Sequence, residues 1–138
     1  MANTFLQKFV KVFIQDLNNI PDIANNFEDI FLFQRRENVY PALLVDFAKV
    51  DNLVYGYNYY GSSDIDLLLT VFVKSSLSDA IGLFDLLIKN LNCYSSKNDT
   101  EKISYVIEYT GGYNELVDVE SQEISITSTW KCRVLNIG

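Results

Sequence analysis

The stretch "SSDIDLLLTVFVKSSLSDAIGLFDLLIKNL", Ser62 to Leu91, constrains the fold more than any other part of the chain. Ile65, Leu67, Leu69, Val71 and Val73 alternate with Asp66, Leu68, Thr70, Phe72 and Lys74, the two-residue period of a strand. The interleaved set is itself partly apolar, so this strand belongs in the middle of a sheet, with packing on both faces along part of its length. After a polar Ser75-Ser76 break the period changes. Ile81, Phe84, Leu87, Ile88 and Leu91 recur at helical steps, with Ser76 or Ser78 available as the N-cap. A central strand running directly into an amphipathic helix requires a layered fold with a sheet on one side and helices on the other.

The remaining segments supply the other pieces. Residues 4–19 read as a helix with Leu6, Phe9, Val10, Phe13, Ile14 and Leu17 on one stripe, capped by Asn3 or Thr4 and stopped by Pro21. Residues 22–40 are irregular apart from the apolar run Ile30 to Phe33. "ALLVDFAKV", after Pro41, has the β-branched and aromatic content of a strand. "YGYNYY" would form a second strand, placing Tyr55, Tyr57 and Tyr59 on one face, and Gly61-Ser62-Ser63 would turn the chain into the central strand. After the polar "SSKNDTEK", Ile103, Tyr105, Ile107 and Tyr109 alternate in a further strand, broken by Gly111-Gly112. A loop of about ten residues then leads to a last strand from Ile124 to about Ile137. The predicted class is α+β: one domain over 1–138, in the order α-β-β-β-α-β-β. Its single, mostly antiparallel sheet has four to five strands, with two main helices packed on one face. Such an arrangement leaves the other face partly exposed, and self-association becomes a way to cover it.

Composition narrows the function. The chain has no histidine and two widely separated cysteines, Cys93 and Cys132, so a His-dependent triad, an imidazole base and a Cys-based structural zinc site are all excluded. Both thiols are expected to be reduced and buried. No stretch is apolar enough to span a membrane, and Lys8, Lys11 and Asp16 interrupt the first segment, which lacks the form of a secretory signal; a cytoplasmic origin is expected. The net charge of −7 disfavours broad binding to a phosphate backbone.

The carboxylate pairs Asp64/Asp66 and Asp118/Glu120 have a spacing that could aim two oxygens at one centre. Acids commonly punctuate strand ends, however, and neither pair brings the ligand number of a calcium loop. "YTGGYNE" has neither a GxGxxG pattern nor a Lys-Ser or Lys-Thr for phosphate. No catalytic, cofactor-binding or metal residue is therefore assigned, and an enzyme is not expected.

Three groups remain as contact surfaces. Tyr55, Tyr57 and Tyr59 lack the positive groove of a single-strand stacking platform, having only Lys49 beside Asp46, Asp51, Asp64 and Asp66, so a packed or subunit-interface face is favoured. Arg35 and Arg36 form the only adjacent basic pair and, when not solvated or paired with Glu37, could meet an acidic partner. Between Lys102 and Lys131 there is no basic residue, while Glu115, Asp118, Glu120 and Glu123 accumulate there, as a solvated acidic loop or as a surface that repels nucleic acid.

From about Val39 onward, "YPALLVDF", then "DIDLLLTVFVKSSLSDAIGLFDLLIKNL", then "ISYVIEYTGGYNELVDVESQEISITSTWKCRVL" resemble, in element order and hydrophobic rhythm, the tail terminator (tail completion) proteins of long-tailed bacteriophages. The resemblance implies a structural virion protein without cofactors, assembled in the host cytoplasm. It would form a ring, typically hexameric, on the head-proximal end of the tail tube, stopping tube growth and joining the tail to the head connector. Its partners would be itself, the tail tube protein and the connector or neck protein. The stretch from Glu115 to Glu123 would line a negative lumen through which DNA passes unbound. The alternative is a small acidic inhibitor, immunity-like or a nucleic-acid mimic, that blocks one basic protein.

Overall fold

A computed structural model describes residues 5–36, 38–52 and 62–137; Tyr55, Tyr57, Tyr59 and Glu37 lie outside them. The elements are α1 (Phe5–Asn19), α2 (Pro21–Ala24), β1 (Asp29–Leu32), β2 (Ala42–Asn52), β3 (Ser62–Val73), α3 (Leu77–Leu91), β4 (Tyr94–Asn98), β5 (Ile103–Asp118) and β6 (Glu123–Asn136). One six-stranded sheet has the order β1-β2-β3-β6-β5-β4. Among the described residues only the β1–β2 pair is parallel, and the other pairs are antiparallel.

The α+β class stands, with more strands than predicted. Strand β3 is central, as its two-sided apolar pattern requires: Val45, Leu69 and Ser128 lie abreast across β2, β3 and β6. Its odd residues, Ile65 to Val73, are fully buried or nearly so, and they share one face with Trp130, Cys132 and Val134 of β6 and Ile103, Tyr105 and Ile107 of β5. Helices α1 and α3 pack on this face. Tyr105 is the hub of the layer, with Phe9 and Phe13 edge-on at 5.5 and 5.7 Å and its hydroxyl donating to Asp16 at 2.7 Å. The opposite face carries Leu44, Asp46, Leu68, Thr70, Phe72, Thr127 and Lys131, and no helix among the described residues packs on it.

The departures from expectation have physical causes. The two extra strands, β1 and β4, are short edge strands. β4 reads "YSSKN", which has no apolar alternation, and it is held by backbone pairing to β5. β2 pairs directly with β3 from Ala42↔Phe72 to Asn52↔Ser63, and the predicted tyrosine strand falls outside the described residues. Pro21 ends α1 and also opens the one-turn α2 as its first residue. Both helices sit rotated from the predicted stripes. α1 buries Phe5 and Val12 along with Phe9, Phe13 and Leu17, and α3 buries Ala80 while Ile81 faces solvent. Ser76 caps α3, accepting from the Asp79 amide at 3.1 Å. Cys93 follows at φ 64 in the turn into β4 and is exposed, contrary to expectation, while Cys132 is buried as predicted.

The Gly111-Gly112 pair does not end its strand. Register shifts between Tyr109 and Gly112, so Thr110 and Gly111 form a bulge with Gly111 at φ 92, and β5 then continues to Asp118. The region expected to be a ten-residue loop is instead the far half of a long hairpin. No helix among the described residues is long and apolar enough to cross a membrane.

Candidate interface

Beyond the bulge β5 runs along β6, which is flanked on its other side by β3 as far as Ile124, and Tyr113 still packs on Phe84 of α3 at 5.3 Å. Every residue of β5 from Asn114 to Asp118 is exposed. The turn at its end is pinned by Asp118, whose Oδ1 accepts from the amides of Glu120 at 3.0 Å and Ser121 at 3.4 Å. Those donors, Ser121 first, hold the Asp118 carboxyl below its usual range. At this tip Leu116, Val117 and Val119 are 64, 50 and 84% exposed.

The four predicted acids do not form one wall. Pairing places Glu115 opposite Ile126, on the helix side of the sheet, and Asp118 opposite Glu123, on the other side. Glu115 accepts from the Tyr113 hydroxyl at 2.8 Å, and that bond, with a smaller burial effect, raises the Tyr113 phenol. Glu120 stands in the turn. Glu123 folds inward over the open face and is the acceptor of an internal clamp.

The donor of that clamp is Arg35, one of the predicted partner-contact arginines. Its Nη2 donates to Glu123 Oε2, and the Tyr40 hydroxyl donates to the same oxygen at 2.5 Å. The guanidinium lies 3.8 Å from the centroid of the Phe72 ring and 5.5 Å from that of Tyr40, and Lys74 Nζ stands 5.4 Å from the Tyr40 ring centroid. Arg35 Nη1 is buried with no hydrogen-bond partner among the described residues, beside the Phe72 ring. Burial pulls the Arg35 pKa down, but hydrogen bonds to Tyr40 and Glu123 outweigh it and raise the value. The Glu123 hydrogen bond, then burial, raises the Tyr40 phenol. Arg36 differs from its neighbour: it is solvent-facing and loosely paired with Asp29 at 3.5 Å. The structure thus joins two groups that sequence reasoning kept apart, and it leaves Arg36 as the solvent-facing member of the basic pair.

At the opposite end of the same ladder lies a patch that sequence reasoning missed. Ser104, Tyr105, Val106, Glu108, Lys131, Arg133 and Leu135 line an open cleft of about 340 Å³. Val106, Leu135 and neighbouring Ile137 are exposed. Arg133 donates to Asp64 from Nε at 3.0 Å and Nη2 at 3.3 Å, which holds the Asp64 carboxyl low, whereas Lys131 makes no salt bridge among the described residues. The available signal was Val106, an apolar residue on the otherwise polar side of its strand, between Ser104 and Glu108.

A second apolar groove, between Leu6, Val10, Leu32, Phe33 and Phe47, runs beside β1. No group of three or more Cys, Asp or Glu side chains among the described residues is placed to hold a metal ion. The sequence matches no protein-family model and no curated protein.

Proposed function

We propose that this protein is a structural subunit of a long-tailed bacteriophage, forming a ring at the head-proximal end of the tail tube, where it ends tube polymerisation and joins the tail to the head connector. The observation that carries this reading is the exposed apolar end of the β5–β6 hairpin. A tip that presents Leu116, Val117 and Val119 to solvent is costly on an isolated chain and is an asset where a neighbour covers it. The same arm has acids and no cation anywhere between Lys102 and Lys131, which suits a passage that DNA crosses without adhering. Glu115, on the helix side of the arm and clear of the Arg35 clamp, is the lumen-facing acid in this account. The tyrosines Tyr55, Tyr57 and Tyr59 are proposed as a further subunit contact.

Deleting the gene in the phage that carries it tests the role. Tubes of uncontrolled length beside full, tail-less heads are the expected phenotype. Normal virions with tails of native length would refute the assignment.

The exposed Val119 between Asp118 and Glu120, on a pinned turn, also favours the inhibitor reading, since such a tip could enter a basic cleft of another protein. That reading predicts a salt-sensitive complex between one copy of this chain and one basic partner, with no self-assembly.

A further inference from the structure

Among the described residues the sheet ends in three stretches of edge strand, and two of them are closed in the ways that folded chains close edges. β1 has four residues, and the Ile30 amide donates to the Asp29 carboxylate at 2.8 Å. β4 has five, all but Tyr94 polar, with Lys97 among them. The third stretch belongs to β5. β4 runs beside it only from Ile103 to Ile107, and the Tyr109 amide is taken by the Asn92 side chain at 3.0 Å. From Tyr113 to Asp118, β5 has β6 on one side; on the other, among the described residues, no strand lies beside it and no hydrogen bond meets its backbone. Alternate N–H and C=O groups of an antiparallel strand point away from its one neighbour, so this run, roughly 20 Å long, offers a row of open donors and acceptors. It holds neither a lysine nor a proline to blunt it.

The side chains say which strand this edge accepts. Leu116 and Val117, both exposed, stand between Glu115 and Asp118. Across the ladder, Tyr113 to Asp118 face Ser128, Thr127, Ile126, Ser125, Ile124 and Glu123, with no cation among them, and Arg35 is spent on Glu123. Glu115, Asp118 and Glu120 form no salt bridge among the described residues. A second copy suits this edge poorly. The antiparallel alignment that sets Leu116 against Val117 of a second copy also sets Glu115 against Asp118 in both halves, and a parallel, in-register alignment sets each acid against itself. Like charges directly opposite destabilise a strand pair. A segment that carries a cation where a second copy carries an acid turns that repulsion into attraction.

We propose that the open edge of β5 from Tyr113 to Asp118 takes up an extended segment of another protein as a seventh strand, with two adjacent apolar residues of that segment alongside Leu116 and Val117 and a basic residue alongside Asp118. This rests on the joining part of the proposed function, naming the chemistry of the adjoining protein, and needs no ring. Strand addition occurs in the plane of the sheet, and Glu115 keeps its place on the helix side.

Titration of the isotope-labelled full chain with a capped Thr-Thr-Lys-Val-Val-Lys-Thr-Thr peptide, followed by amide spectra and hydrogen exchange, tests it; in either direction the peptide sets one lysine beside Asp118. In the free chain, alternate amides from Tyr113 to Asp118 should exchange fast, and the peptide should slow them, with spectral changes centred on these residues. The same peptide with Glu for both lysines should bind about fivefold weaker or worse. N-methylation of one set of alternate peptide nitrogens should abolish binding and methylation of the other set should spare it, which a merely electrostatic contact would not show. Leu116→Lys should weaken binding about tenfold or more while leaving the thermal melt unchanged. Perturbations centred elsewhere, equal binding of both N-methylated forms, or no binding at millimolar peptide would overturn the inference. Protection of every amide from Tyr113 to Asp118 without peptide would show a second copy already on the edge, and would overturn it too. If the peptide fails while the parent chain forms its multimer, this inference falls and the ring reading stands.

Discussion

Arg35 and Glu123, 88 residues apart in the chain, meet above the ring of Phe72 and tie the β1–β2 connection to the base of the hairpin turn. The bond crosses the face of the sheet that no described helix covers, and it anchors the start of β6. Tyr40 supports it by donating to the same carboxylate oxygen. A clamp of this kind consumes two charges that would otherwise be offered to a partner.

Replacing Arg35 should therefore act first on stability. Its side chain is only 15% exposed, and the change removes a charge-assisted hydrogen bond and a ring contact while stranding Glu123. Arg35→Ala is expected to cost about 2 kcal/mol in urea denaturation. Arg35→Lys should recover less than half of that, because an ammonium lacks the planar stack. A loss under about 0.5 kcal/mol for Arg35→Ala would mean the clamp contributes little.

The bulge makes a sharper demand on one residue. A Cβ at Gly112 would lie 2.3 Å from Thr129 Oγ1 and 2.6 Å from Thr129 Cβ, so an alanine there must push its cross-strand partner aside. Gly112→Ala should destabilise by about 1–3 kcal/mol, and adding Thr129→Gly should recover part of the loss. Additive losses in that double-mutant cycle would show that the close approach is not the cause.

Buried acids of the core set the alkaline limit. Burial raises both the Cys132 thiol and the Tyr105 phenol well above their usual values, the latter also through its hydrogen bond to Asp16. An unfolded chain releases these protons from about pH 8.5 for the thiol and about pH 10 for the phenol, while the folded chain keeps them. Their stabilisation is complete below about pH 8.5 and declines as pH rises, by up to about 1.4 kcal/mol per pH unit for each proton. Cys132→Ala should move the onset of that decline towards pH 10. In thiol labelling, exposed Cys93 should react at once and Cys132 only on unfolding; equal rates for both would contradict the core placement.

What could be read from the sequence was local and periodic. The alternation from Ile65 to Val73 located the central strand, and the helical steps after Ser76 gave α3 almost to the residue. The stripes of both helices were displaced because a propensity count cannot weigh Ala80 or Val12 against a larger neighbour one step away. β4 was illegible because its side chains carry no pattern; its backbone makes the strand. Gly111 and Gly112 read as a strand end because glycine marks breaks and bulges alike, and the difference lies in Thr129, a contact across the sheet. The Arg35–Glu123 clamp and the cleft at Val106 arise from register between distant segments, which no single stretch encodes.

The central claim is that this chain works by associating with copies of itself. The most direct measurement is the native mass of the purified protein in solution across a range of concentrations, with the same particles viewed by negative stain. The account predicts a multimer near six chains that appears as a ring with a central hole. A single chain at every concentration, up to the highest that stays soluble, would contradict it.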